Sequence, residues 1–207
     1  VIGALPARFE TKKVVVARTA QIDAGMEWAD VCWFECCDER VAYASRHALA
    51  AGKRIVCRLH GFEVFADQTG KVDWDGVDLA ICPSAHIRDR LTEKTNADAG
   101  RTAVIPIPVD AGRFAFRKRG HGPKLAWAGY VNYKKGPMLL LHAFKAMHDA
   151  NARAQLHIAG VFQDERDLLY FRQMTGEWGL TDSVFYDGWQ EDLDAWLEDK
   201  DYILCTS

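Results

Sequence analysis

Apolar positions along this chain fall into short continuous runs that alternate with stretches of helical spacing. Runs rich in β-branched residues predict strands at 13–17, 30–36, 54–59, 79–82 and 103–107, then a second series at 124–128, 155–159, 183–186 and 202–205. Between them, helix-like patterns span 39–51, 85–95, 138–150, 165–178 and 191–199. Strands that are apolar throughout are buried on both faces, and strand and helix in turn is the order of a parallel sheet covered by helices. The expected class is therefore α/β.

Two helix starts are written into the chain. Pro137 suits the first helical position, where a missing N–H costs nothing, and Leu140, Phe144 and Met147 then fall on one face. Ser84 follows Pro83 as a helix N-cap, with Ile87 and Leu91 as the inner stripe. Between Ile107 and Lys124 the periodicity stops. The stretch "PVDAGRFAFRKRGHGP" is rich in proline, glycine and basic residues and reads as a linker. Two α/β units of similar size are expected, 1–116 and 124–207, joined by residues 117–123.

Composition adds exclusions. The 207 residues are 49% apolar and 27% charged, which suits a globular chain rather than a disordered one. A net charge of -3 carries no basic footprint for nucleic acid. No apolar run approaches the length of a membrane span. The cysteines (Cys32, Cys36, Cys37, Cys57, Cys82, Cys205) contain no CxxC pair, and adjacent Cys36 and Cys37 suit neither a simple disulfide framework nor a tetrahedral zinc site. Most lie inside apolar runs, where cysteine behaves as a small buried hydrophobe, so a reducing, cytoplasmic setting is expected. No metal site is expected.

Candidate chemistry gathers at strand ends. In the second unit three strands close on glycine: "LAWAG" at Gly129, "LHIAG" at Gly160 and "VFYDG" at Gly188. Ligands of open α/β sheets bind beyond the carboxyl ends of strands, where glycine admits close backbone approach. After the first of these comes "GYVNYKKGPM", which sets Lys134, Lys135 and Gly136 at the mouth of a helix. Free N–H groups and the helix dipole favour an anion there, and a cation at the same place is unfavourable unless an anion offsets it. A phosphate site at Lys135 and Gly136 is expected. Neither GxxxxGK[ST] nor GxGxxG is present, which argues against a P-loop enzyme or a dinucleotide fold. In the first unit, His60 follows an apolar strand and precedes Gly61, placing an imidazole that can donate a hydrogen bond or transfer a proton.

In sequence order, "RIVCRLHGFEVF", "LAICPSAHIRDRL", "VIPIPVDAGRF", "LAWAGYVNYKKGPMLLLHAFKAM", "AQLHIAG" and "VFYDGWQEDLDAWLEDKDYILCTS" resemble retaining glycosyltransferases of the GT-B fold, over most of residues 30–207. The resemblance implies two Rossmann-like units facing a cleft, both incomplete, the chain being a piece truncated at both ends. It implies transfer of a sugar, with retention, from a nucleotide-sugar co-substrate to a carbohydrate or lipid-linked acceptor hydroxyl, with no resident cofactor. It further implies a cytoplasmic enzyme with peripheral association at the inner face of a membrane. Carried over by residue, Lys135 contacts the donor diphosphate, Gly129 and Gly136 let the backbone near it, and Gly160 ends the next strand. Gly188 and Trp189 lie by the base, and His60 faces the donor sugar. The chain departs from the pattern at Tyr130, where the family carries an arginine, and at Ile107-Pro108, where it carries Asn-Gly. The family's paired glutamates fall past Ser207. Two other readings are a sugar-nucleotide epimerase of the same architecture, using His60 and Glu63, and a catalytically incomplete nucleotide- or sugar-binding module.

Overall fold

A computed structural model describes residues 8–113, 116, 118 and 120–207. The chain divides between Val109 and Asp110 into two compact units, each with a core of its own. Phe114, Ala115, Arg117 and Arg119 of the linker stretch lie outside the described residues.

The first unit opens with α1 (Thr19–Trp28) and continues through β1 (Val31–Phe34), α2 (Glu39–Ser45), β2 (Arg54–Arg58), β3 (Leu79–Cys82), α3 (Ala85–Lys94) and β4 (Thr102–Val104). Its four strands are parallel, in the order β1-β2-β3-β4. Ile55, Cys57 and Leu59 on β2 and just after it pack against Val41, Trp74 and Leu91, all buried. Ser84 caps α3 as expected, its Oγ accepting from the Ile87 N–H at 3.3 Å, and Ile87 and Leu91 are the buried positions of that helix. Ser84→Ala removes the acceptor and is expected to cost about 1 kcal/mol. A lower urea midpoint with unchanged slope would check it.

The second unit contains β5 (Lys124–Ala128), α4 (Pro137–Ala150), β6 (Gln155–Ala159), α5 (Glu165–Glu177), β7 (Val184–Gly188), α6 (Leu193–Leu197) and β8 (Tyr202–Ile203). These strands are also parallel, in the order β7-β6-β5-β8. The chain runs outward from β5 through β6 to β7 and then returns to the far side of β5. The order therefore reverses between β5 and β8, and that reversal is where ligands settle in open α/β sheets.

Two expectations are corrected, and one helix is added. Residues 13–17 form no strand, and among the described residues no strand pairs with them; Val15 is 80% exposed. Helix α1 was not expected from the sequence. Its N-cap is Arg18 rather than a short polar residue, and the Gln21 carbonyl reaches back to the N–H groups of Ala17 and Arg18 instead. Ile22 and Met26 are its two buried positions, a weak periodic signal. On α4 the expected Leu140 and Phe144 are buried, together with Pro137 and Leu141, but Met147 is 40% exposed and lies off the buried face.

Candidate functional site

The carboxyl ends of β5, β6 and β7 meet at three glycines in left-handed or related backbone, Gly129 (φ 149°), Gly160 (φ 140°) and Gly188 (φ 72°). Hydrogen bonds tie these strand ends together: Gly129 N–H donates to Ala159 O at 3.0 Å, and Gly160 N–H donates to Gly188 O at 2.7 Å. A methyl group on Gly160 would overlap the Gly129 carbonyl oxygen. Gly160 is thus needed for strand-end packing as much as for any ligand. Around these ends lies a pocket of ≈ 180 Å³ lined by Ala128, Gly129, Gly160, Trp189, Gln190 and Leu193 among others.

The loop carrying Trp189 is pinned from below. Asp187 Oδ2 accepts from Trp196 Nε1 at 2.8 Å and lies 3.1 Å from His157 Nδ1, and Gln190 Nε2 donates to the Asp187 carbonyl at 2.7 Å. Trp189 is half exposed and meets Tyr130 across the strand ends, ring centroids 5.6 Å apart and tilted by 37°. Trp189, from the loop after β7, thus lines the pocket, and Tyr130, from the loop after β5, lies against its ring.

The helix mouth lies toward the reversal between β5 and β8. Asn132 starts a 3-10 turn (Tyr133–Lys135), its Oδ1 accepting from the Lys135 N–H at 3.3 Å. Gly136 (φ 61°) ends that turn and serves as the N-cap of α4, with Pro137 at the start of the helix as expected. No side chain caps α4, because the N-cap is glycine. A Cβ on Gly136 would sit 2.7 Å from the Thr206 carbonyl oxygen, since the segment after β8 passes alongside. Thr206 Oγ1 donates to the Lys135 carbonyl at 2.7 Å and accepts from Trp127 Nε1 at 3.2 Å. These bonds fix the backbone of Lys135 while its side chain stays exposed.

The predicted residues thus fall into two neighbouring groups in the second unit. Gly129, Gly160 and Trp189 line the pocket, with Tyr130 tilted against the Trp189 ring and Gly188 ending β7. Lys135 and Gly136 form the helix mouth. Thr206, Asn132 and Gln190 carry the loop geometry and were not singled out from sequence; Asn132, three residues before Lys135, was the one with a readable signal, an Asx cap.

His60 belongs to the first unit. It lies after β2 in a turn closed by Gly61 (φ 103°), with Nε2 3.5 Å from Glu35 Oε1 and Nδ1 3.5 Å from Glu63 Oε1. Cys36 Sγ is 3.8 Å from the same Nδ1. Burial, with Glu63, Asp38 and Glu35 nearby, pushes the Cys36 thiol up from its ordinary value. The cysteines are free thiols: Cys32, Cys37, Cys57 and Cys82 are buried, Cys36 half-buried and Cys205 exposed. Among the described residues, no helix is long and apolar enough to cross a membrane.

No family model and no curated protein matches this chain. Solved structures do. The chain is similar to Anabaena Alr3699/HepE in complex with UDP, with a TM-score of 0.74 and 15% identity over 91% of this chain and 56% of that one. It is similar to the lipopolysaccharide outer core galactosyltransferase WaaB in its apo form, with a TM-score of 0.63 and 18% identity over 91% and 55%. A glycosyltransferase from Rickettsia africae matches with a TM-score of 0.66 and 13% identity, again over 91% and 55%. The chain spans about half the length of these proteins. It shares their fold: α/β, with two Rossmann-like units of the GT-B class.

Proposed function

We propose that this chain is part of a retaining glycosyltransferase, with the second unit holding a nucleotide-sugar donor. The observation that carries the reading is the mouth of α4. An uncapped helix N-terminus, an exposed lysine and a left-handed glycine stand together at the reversal point of a parallel sheet. Such a place favours a diphosphate, through N–H groups, the helix dipole and a compact positive charge. Negative charge builds on that diphosphate as the glycosidic bond breaks, and fixed donors aimed at it lower the barrier.

The pocket beside it suits the rest of the donor. At ≈ 180 Å³ it is smaller than the ~300–1,000 Å³ of a pocket enclosing a whole drug-sized ligand, so it takes one ring rather than the entire molecule. The Trp189 ring that lines it, with Tyr130 against it, offers a nucleobase a face to stack on. HepE has been seen with UDP and with UDP-glucose, which supports a uridine nucleotide as the first donor to try. In this reading the acceptor is a carbohydrate or lipid-linked hydroxyl. No resident cofactor takes part. The place of action is the cytoplasm, at the inner face of the membrane where the acceptor is lipid-linked; the free thiols support a reducing compartment.

One observation favours a second reading. Tyr130 stands where the resemblance calls for an arginine, and its hydroxyl offers a phosphate one neutral hydrogen bond in place of a charge. A binding module that holds the nucleotide without transferring sugar would tolerate that exchange. Calorimetric titration with UDP, GDP and ADP, followed by their sugar conjugates, tests both. Binding of one nucleotide diphosphate with release of its sugar to an acceptor is the expected result. Binding without turnover selects the module, and no binding of any diphosphate at millimolar concentration overturns both.

A further inference from the structure

The first unit brings three unlike donor atoms to one point. Cys36 follows β1, His60 follows β2, and Glu63 lies in the 3-10 turn (Phe62–Phe65) just beyond. Their Sγ, ring nitrogen and carboxylate oxygen all fall within 4.8 Å of one another. Glu63 is 3% exposed; its Oε2 accepts the His60 N–H at 2.9 Å, but its Oε1 has no hydrogen-bond partner. A buried carboxylate oxygen without a donor is costly, and such a group calls for an explanation. This one faces a thiol and an imidazole nitrogen.

We propose that Cys36, His60 and Glu63 form a three-ligand site for a zinc ion, with His60 binding through Nδ1. Ligand bonds of about 2.0–2.3 Å at tetrahedral angles set neighbouring donors roughly 3.4–3.6 Å apart. Two of the three separations, 3.5 Å from Nδ1 to Glu63 Oε1 and 3.8 Å from Nδ1 to Cys36 Sγ, need little adjustment to meet that, and the third, from Sγ to the Glu63 carboxylate, lies within 4.8 Å. The donor chemistry is selective: thiolate and imidazole suit zinc, whereas magnesium and calcium take oxygen. His60 is also supported as a ligand should be. Its other nitrogen, Nε2, faces Glu35 Oε1 at 3.5 Å, and Glu35 is itself held by Arg58 Nη1 at 2.9 Å and Trp33 Nε1 at 2.7 Å. Cys36 and His60 are part-exposed, so an ion reaches the site from solvent, and three protein ligands leave a fourth position for water or substrate.

The competing arrangement is an imidazolium bridging Glu35 and Glu63, which needs no ion and leaves the thiol unused. With Nδ1 on zinc and Nε2 on Glu35, His60 has no nitrogen left for a sugar hydroxyl. Zinc binding and the donor-sugar role of His60 are therefore rivals, and the zinc site stands independently of the glycosyltransferase reading.

Cobalt(II) added to the chelator-stripped chain tests the site without any need for activity. Expected are one bound equivalent, a thiolate-to-cobalt charge-transfer band in the near ultraviolet, and the strong visible bands of four-coordinate cobalt, all displaced by zinc. Cys36→Ala should abolish the charge-transfer band. Glu63→Gln, close to isosteric, should weaken zinc binding at least tenfold, and Glu35→Gln by roughly 10- to 100-fold, with circular dichroism reporting that each variant is folded. The proposal is overturned if the wild-type chain shows no such band, if the band survives Cys36→Ala (which would place cobalt on exposed Cys205), or if Glu63→Gln binds zinc as tightly as the parent.

Discussion

Gly160→Ala is expected to destabilise the second unit by roughly 3 kcal/mol and to abolish nucleotide binding in the chains that remain folded. Two costs combine. The backbone at Gly160 has φ 140°, a conformation side chains rarely adopt, worth about 1–3 kcal/mol of strain. The added methyl also meets the Gly129 carbonyl oxygen, which belongs to backbone and cannot rotate away. Forcing matter into a filled space costs a further ~1–3 kcal/mol. Relief can come only by separating the ends of β5 and β6, and those ends are a wall of the pocket. Amide hydrogen exchange gives the sharpest reading, because it resolves the two units. Protection should fall along Leu125–Ala128 and Leu156–Ala159 and stay unchanged along Ile55–Arg58 in the first unit. Equal protection in parent and variant would mean the strand ends have room the structure does not show. Gly188→Ala provides the contrast, since no atom lies within 4 Å of the added methyl and only the φ of 72° opposes it. Its effect should be distinctly smaller.

Much of this was legible before any coordinates. Strands buried on both faces announce themselves as unbroken apolar runs, so β3, β5 and β6 were placed to the residue. The start of α4 was legible because proline and glycine each have a single physical meaning at a helix N-terminus. What stayed hidden depended on partners distant in the chain. Residues 13–17 have the composition of a strand but no neighbour to pair with among the described residues, and β propensity is realised only against another strand. Helix α1 is held by tertiary contacts of Ile22 and Met26 rather than by a strong stripe or a polar cap. The helix expected at 39–51 ends early, as α2, and continues as a 3-10 turn (Ala48–Gly52). The grouping of Cys36 with His60 and Glu63 was invisible for the same reason: it requires β1 and β2 to lie side by side. Spacing within the sequence reports ligands on one element and says little about ligands gathered from neighbouring strand ends.

Lys135→Ala is expected to lower affinity for a nucleoside diphosphate by roughly 10- to 100-fold, the loss of one charge-assisted contact worth about 1.5–3 kcal/mol. The informative part is its sign in the free protein. Among the described residues the Lys135 ammonium takes part in no hydrogen bond or ion pair, and it stands near the positive end of the α4 dipole. A cation at that end opposes the dipole by about 0.3–1 kcal/mol. Removing it should therefore leave the unliganded melting temperature unchanged or slightly raised, while the stabilisation added by UDP largely disappears. A residue kept for structure would move both in the same direction. Lys134→Ala serves as the control: its ammonium sits 5.9 Å from the centroid of the neighbouring Tyr133 ring, so its loss should cost binding far less. Lys135→Arg should restore much of the affinity, because the charge returns. Raising the salt concentration should weaken the parent more than Lys135→Ala, as expected when the contact removed is an exposed charge pair. If UDP stabilises Lys135→Ala as strongly as the parent, the diphosphate lies elsewhere, and the cation at this helix mouth answers to something other than a donor.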